Sequence, residues 1–140
     1  MIVIICDGSS RGNPGPASIG IIIWERFKEK NSRMVKPTKI IRQDIGMATN
    51  MEAEWRALLR SVAYAVDYNP NKEEVYIYCD SQTVVKQANR IWKVKHEGIK
   101  SIYNAFRVLL NKSPKINISW VPRQLVYLAD KAAQKGGKIK

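Results

Sequence analysis

Residues 2–16 run Ile2-Val3-Ile4-Ile5-Cys6-Asp7-Gly8-Ser9-Ser10-Arg11-Gly12-Asn13-Pro14-Gly15-Pro16, a short apolar stretch that breaks abruptly into turn residues. The apolar part predicts a buried strand and the rest a loop. Asp7 falls at the junction. In open sheets with parallel strands, ligands bind beyond the carboxyl ends of the strands, so this aspartate stands where chemistry is expected. Moving outward, residues 18–24 resume as strand, the polar and charged stretch 26–36 is a loop, and 39–45 form the next strand. Three strands in succession imply an antiparallel meander.

The hydrophobic period then changes. Thr49 is placed to cap a helix in which Glu54, Leu58, Ser61, Val62 and Ala65 share one face, and which ends near Tyr68-Asn69-Pro70. Residues 75–79 are β-branched or aromatic and stop at Asp80-Ser81, with a short helix over 82–89 behind them. Strand followed by helix adds a parallel strand to the sheet. Ile99, Ile102, Ala105, Phe106, Leu109 and Leu110 mark an amphipathic helix over 98–110, and 116–121 alternate as a fifth strand closed by Pro122. A last helix is predicted over 126–135, followed by a frayed tail over 136–140.

Such a chain of 140 residues suits one domain, 1–140. It carries 24 Lys and Arg against 12 Asp and Glu, a net charge of +12, which favours a polyanionic partner, with nucleic acid first. No apolar run approaches the ~18 residues of a spanning helix, which argues against a membrane. Residues 1–6 are too short for a signal-peptide core, and the expected location is cytoplasmic. Cys6, Cys79 and His96 lie too far apart in sequence for a zinc-ligand spacing or a redox Cys-x-x-Cys pair. Each cysteine precedes an aspartate at a strand end, so alternation turns it to the opposite face and makes it a buried structural thiol.

Val3, Ile5 and Asp7 share one face of the first strand, and Tyr76, Tyr78 and Asp80 one face of the fourth. Adjacent placement of those strands joins the two carboxylates, and Glu54 adds a third acid from the opening turns of the first helix. Singly, each is more often a turn, cap or helix-dipole residue. Converging, they repel one another unless a cation intervenes, and all-oxygen ligands select Mg²⁺ or Mn²⁺.

Asp7-Gly8-Ser9, Gly12-Asn13-Pro14-Gly15-Pro16, Thr49-Asn50 with Ala53-Glu54, Asp80-Ser81-Gln82, and Trp120-Val121-Pro122 followed by Ala129-Asp130 together resemble the successive motifs of type 1 ribonuclease H, over nearly the whole chain. The resemblance is to a short, archaeal-like form. It implies an α/β ribonuclease H-like fold with a five-stranded mixed sheet, three antiparallel strands then two parallel, flanked by helices. It also implies a monomeric endonuclease that hydrolyses the RNA strand of RNA–DNA hybrids, leaving 5′-phosphate and 3′-hydroxyl, with two divalent ions about 4 Å apart at the scissile phosphate. In that family pattern Asp7 bridges both ions, Asp80 and Asp130 serve the attacking side, and Glu54 with Asp80 holds the other. Asp130 enters only through the resemblance, since by itself it is a helical acid beside Lys131.

The resemblance further implies polar contacts to substrate from Asn13, Thr49, Asn50 and Gln82 and from the backbone amides of Gly8 and Ser9. Between Lys86 and Lys115 stand eight basic residues and one acid. Within them Trp92, Lys93 and Lys95 are candidates for phosphate binding with aromatic support, against the alternative of a solvated face with Trp92 in the core. This connection is too short for the extended basic protrusion of many relatives. The histidine loop of longer relatives is also missing, because Pro122-Arg123-Gln124-Leu125 runs directly onward. His96 is expected at the surface, and Arg123 is the candidate for product release or phosphate positioning. Met51 stands where asparagine is common, and Met47 where arginine often grips the DNA phosphate, so cleavage of double-stranded RNA is an expected side activity. The main alternative is a catalytically silent module that binds hybrid or duplex RNA. A strand-transferring core of the same fold lacks its usual extra domains here, and a nucleotide-binding domain lacks its glycine-rich phosphate loop.

Overall fold

The computed structural model describes residues 1–26, 37–113 and 115–126. Asp130, the last helix beyond Val126, the tail and nearly all of the loop over 26–36 lie outside the described residues. Strands β1 (Ile2–Ser10), β2 (Gly15–Trp24) and β3 (Lys39–Ala48) precede helix α1 (Asn50–Asp67). Then come β4 (Val75–Cys79), α2 (Gln82–Ala88), α3 (Glu97–Leu110), β5 (Ile116–Trp120) and a 3₁₀ turn over Arg123–Val126. The five strands form one sheet in the order β3-β2-β1-β4-β5. β1 pairs antiparallel with β2, and β2 with β3, whereas β1–β4 and β4–β5 are parallel. This is the mixed architecture expected. No helix among the described residues is long and apolar enough to cross a membrane.

Three strands exceed their expected bounds: β1 runs on through Asp7-Gly8-Ser9 to Ser10, residues that read as loop, because they pair with residues 17–20 of β2. β2 begins at Gly15 and β3 runs on to Ala48, because Gly15-Pro16-Ala17 pair with Gly46-Met47-Ala48 beyond a bulge at Ala17/Ser18. The Gly and Pro that read as turn residues are thus held in the ladder by β3, and the Pro16 carbonyl accepts the Arg11 amide just past β1. β5 is one residue shorter than expected. Its outer edge is covered where Asn89 Nδ2 donates to the Ile118 carbonyl at 3.0 Å.

One face of the sheet, carrying Ile4, Cys6, Ile21, Ile23 and Ile77, packs under α1 and α3. Trp55 is fully buried there, edge-on to Phe106 at 5.2 Å between centroids, and its indole N–H reaches Gln87 Oε1 of α2 at 2.8 Å. Burying so large a ring contributes on the order of 3 kcal/mol, provided its one donor is satisfied. Cys6 and Cys79 are buried free thiols on this helix-facing side, as alternation requires.

The start of α1 is fixed twice. Thr49 and Glu52 form a capping box, in which the Glu52 amide donates to Thr49 Oγ1 at 3.1 Å and the Thr49 amide to Glu52 Oε1 at 2.9 Å. Beneath it, Gly8 lets helix and strand touch: a Cβ there would fall 2.1 Å from the Ala53 carbonyl oxygen. That close approach brings the following residue, Glu54, down to the end of β1.

Candidate active site

Ile5 pairs with Tyr78 in the last rung of the parallel β1–β4 ladder, so Asp7 and Asp80, each two residues further on, emerge side by side just beyond that ladder, Asp7 still within β1 and Asp80 immediately after β4. Glu54 descends from α1 to meet them. One carboxylate oxygen from each lies within 4.8 Å of the others. Asp7 is 5% exposed, and Glu54 and Asp80 are half-buried.

Burial, reinforced by repulsion from Asp80, pushes the Glu54 carboxyl up to about 7; a hydrogen bond from Ser81 and the charge of Arg123 act the other way. The Ser81 hydroxyl has a second task, capping α2 by accepting the Val84 amide at 3.3 Å. The backbone of Asp80 is pinned from β5: Trp120 Nε1 donates to its carbonyl at 3.0 Å, and the Val121 amide donates to the Cys79 carbonyl at 3.0 Å. Arg123 Nη1 stands 3.7 Å from Asp80 Oδ2, with most of its side chain in solvent.

Two hollows adjoin the carboxylates, each of about 690 Å³. The first contains Asp7, Gly8, Ser9, Ser10, Arg11 and Arg123, and the second contains Asn13, Thr49, Met51, Lys93, Lys95 and His96. Asn50 and Glu54 line both, so the first turns of α1 form a ridge between two grooves. Asn13 and Asn50 spend their side-chain oxygens within the protein. Asn13 Oδ1 accepts the Asn50 amide at 3.1 Å, and Asn50 Oδ1 accepts the Ser10 amide at 3.0 Å. Their NH₂ groups are the donors available to a ligand.

Most of the residues singled out from the sequence therefore converge, but Gln82 and Trp92 line neither groove. Trp92 is not in the core either. It is 46% exposed, with Lys86 Nζ 4.5 Å from its ring centroid, a cation–π contact that satisfies the ring face at the surface. His96 is exposed as expected, and it caps α3 by accepting the Gly98 amide on Nδ1 at 3.1 Å. Sequence reasoning passed over Ser81, Ser10, Ser18 and Arg11. Ser81 sits inside the Asp80-Ser81-Gln82 motif, yet its bond to Glu54 exists only once α1 has packed. Ser18 is opposite Ser9 in the β1–β2 register, which only the pairing reveals.

A mixed sheet in this order, with acids where its parallel β1–β4 pairing ends and a third on the crossing helix, defines the ribonuclease H-like class. Residues 5–136 match the family model described as reverse transcriptase-like. A bifunctional protein of Mycobacterium tuberculosis is 38% identical over 132 residues, covering 94% of this chain and 34% of that protein. The chain thus spans about a third of the length of that curated relative. The solved N-terminal RNase H domain from M. tuberculosis is 36% identical, with a TM-score of 0.82, covering 96% of this chain and 91% of that one. LC11-RNase H1, solved in complex with an RNA/DNA hybrid, is 28% identical with a TM-score of 0.85, covering 97% and 96%. The chain belongs to the ribonuclease H family.

Proposed function

We propose that residues 1–140 are a single catalytic domain that hydrolyses the RNA strand of RNA–DNA hybrids. The observation that carries this reading is the ridge of Asn50 and Glu54 between two grooves, only one of which reaches Asp7. A duplex straddling the ridge presents one strand to the carboxylates and leaves the other against Asn13, Thr49, Lys93 and Lys95. The hybrid bound by LC11-RNase H1 supports the choice of duplex.

The donor set fits divalent cations. Three carboxylates meet, and burial, reinforced by repulsion from Asp80, already raises Glu54 toward neutrality, a cost that Mg²⁺ or Mn²⁺ would relieve. When bound, two such ions would activate water and stabilise the leaving 3′ oxygen, giving 5′-phosphate and 3′-hydroxyl products. Asp7, Glu54 and Asp80 would hold them, with Asp130 as the fourth ligand on the strength of the family pattern. Ser81 keeps Glu54 oriented, and Arg123 lies where it can meet a phosphate beside Asp80.

The test uses labelled RNA–DNA hybrid, duplex RNA and duplex DNA with Mg²⁺, Mn²⁺ or chelator, for wild type, Asp80→Asn and Asp130→Asn. Hybrid is expected to be cut first and duplex RNA weakly, with each variant reduced by at least 10²-fold, as for loss of a key transition-state group. Binding without cleavage in either metal would instead identify a silent hybrid-binding module, and cleavage that persists in chelator would end the metal reading.

A further inference from the structure

We propose that Arg11 is a phosphate contact for the strand that is cut, about two to four nucleotides from the scissile bond. The proposal rests on the nuclease function above and adds a residue to its substrate-binding surface.

Arg11 lines the groove that contains Asp7 and Glu54. Sheet order sets its side: Arg11 leaves β1 toward β2, whereas Asp80 and Arg123 lie on the side of β4 and β5. The two arginines therefore flank the carboxylates along one groove. Arg123 stands 3.7 Å from Asp80, and Arg11 shares the groove with the hydroxyls of Ser9, Ser10 and Ser18. Arg11 lies four residue steps past Asp7, just beyond the end of β1, roughly 13 Å at ~3.3 Å per step. With phosphates advancing ~3.4 Å each along a duplex strand, and the arginine able to lean back, its guanidinium falls two to four phosphates from the cut.

The backbone that projects this side chain is fixed. The Arg11 amide donates to the Pro16 carbonyl at 2.8 Å, and Gly15 packs so closely that a Cβ would lie 2.2 Å from the Arg11 carbonyl oxygen. One residue back, Ser10 is tied to Asn50 through its amide and to the Ala48 carbonyl through its hydroxyl at 2.8 Å. Arg11 is thereby coupled to α1, the helix that carries Glu54. A guanidinium on a fixed backbone, in the groove that holds the carboxylates Asp7 and Glu54, has the fork geometry to grip a phosphate.

The experiment uses a hybrid whose labelled strand holds a few ribonucleotides in a DNA context, so that the cut position is defined. Its cleavage by wild type reads the proposed function; comparison with Arg11→Gln, Arg11→Ala and Arg11→Lys reads Arg11. Loss of one charged phosphate contact should raise KM about tenfold in the Gln and Ala variants, with kcat within about twofold and Lys largely restoring KM. The plot of log(kcat/KM) against log salt should become shallower by about 0.9. A single neutral methylphosphonate, walked along the cut strand, should penalise wild type at one linkage and have no effect there on Arg11→Gln. The same replacement in the DNA strand should penalise both proteins equally. Unchanged KM and salt slope, or a methylphosphonate penalty that persists at every linkage in Arg11→Gln, would overturn the assignment while leaving hybrid cleavage intact. Failure of wild type to cut the hybrid would overturn the function itself, whatever the Arg11 variants bind.

Discussion

Glu54 shows at a single residue how the site couples protons to metal. Its carboxyl is raised from an ordinary 4.5 to about 7, so the folded, metal-free protein holds a proton that the unfolded chain has released. Its contribution to stability is complete below about 4.5 and is lost as pH climbs through about 7. A divalent ion binds the carboxylate and competes with that proton. The rise in Tm on adding Mn²⁺ is therefore expected to be larger at pH 8 than at pH 6, read by thermal unfolding at fixed free metal. Glu54→Gln should reduce this difference. Ser81→Ala removes a hydrogen bond that favours the ionised form, so its loss of Mn²⁺ affinity should be greater at pH 6.5 than at pH 8.5. Equal losses at the two pH values would mean that Ser81 serves only as the cap of α2.

Among the elements, α1 links core to site, and its seating on β1 depends on Gly8. A methyl group there meets main chain rather than a flexible side chain, with the Ala53 carbonyl oxygen 2.1 Å from the Cβ position. Gly8→Ala should cost about 3 kcal/mol in denaturant unfolding, at the upper end for overpacking, and should abolish cleavage because Glu54 rises with the helix. Thr49→Ala, which removes only the cap, should cost about 1 kcal/mol. Comparable destabilisation by the two would show that α1 is held by its cap and not by this contact. The elements were largely legible beforehand because their signals are local: the period change at Thr49, the apolar run before Asp7, the β-branched run before Asp80. What stayed hidden depended on partners. Gly15-Pro16 has turn chemistry but is paired with β3, and Trp92 has core chemistry but finds Lys86 at the surface. Asp7, Glu54 and Asp80 could be anticipated from alternation plus topology, whereas Arg11 and Ser81 acquire their roles only through packing.

For the whole molecule, a net charge of +12 says that a polyanion binds but not where. The fold separates basic residues into at least two groups. Lys93 and Lys95 line the groove beside Asn50, whereas Lys72, Lys112 and Lys115 surround a smaller hollow of about 260 Å³ near the starts of β4 and β5, the opposite ends of the strands from Asp80. Counterion release depends on which cations meet phosphate rather than on the total. Replacing Lys93 and Lys95 together by Ala should raise the Kd for hybrid and reduce the slope of log K against log salt by about 1.8, at ~0.9 for each lost contact. Replacing Lys112 and Lys115 removes the same charge and should change that slope by less than about 0.5. Both are measured by fluorescence anisotropy in the Asp80→Asn background, where the hybrid is expected to survive. If the two pairs lowered the slope equally, the duplex would be held by the overall field and not by the second groove, and the ridge at Asn50 would no longer explain how two strands are told apart.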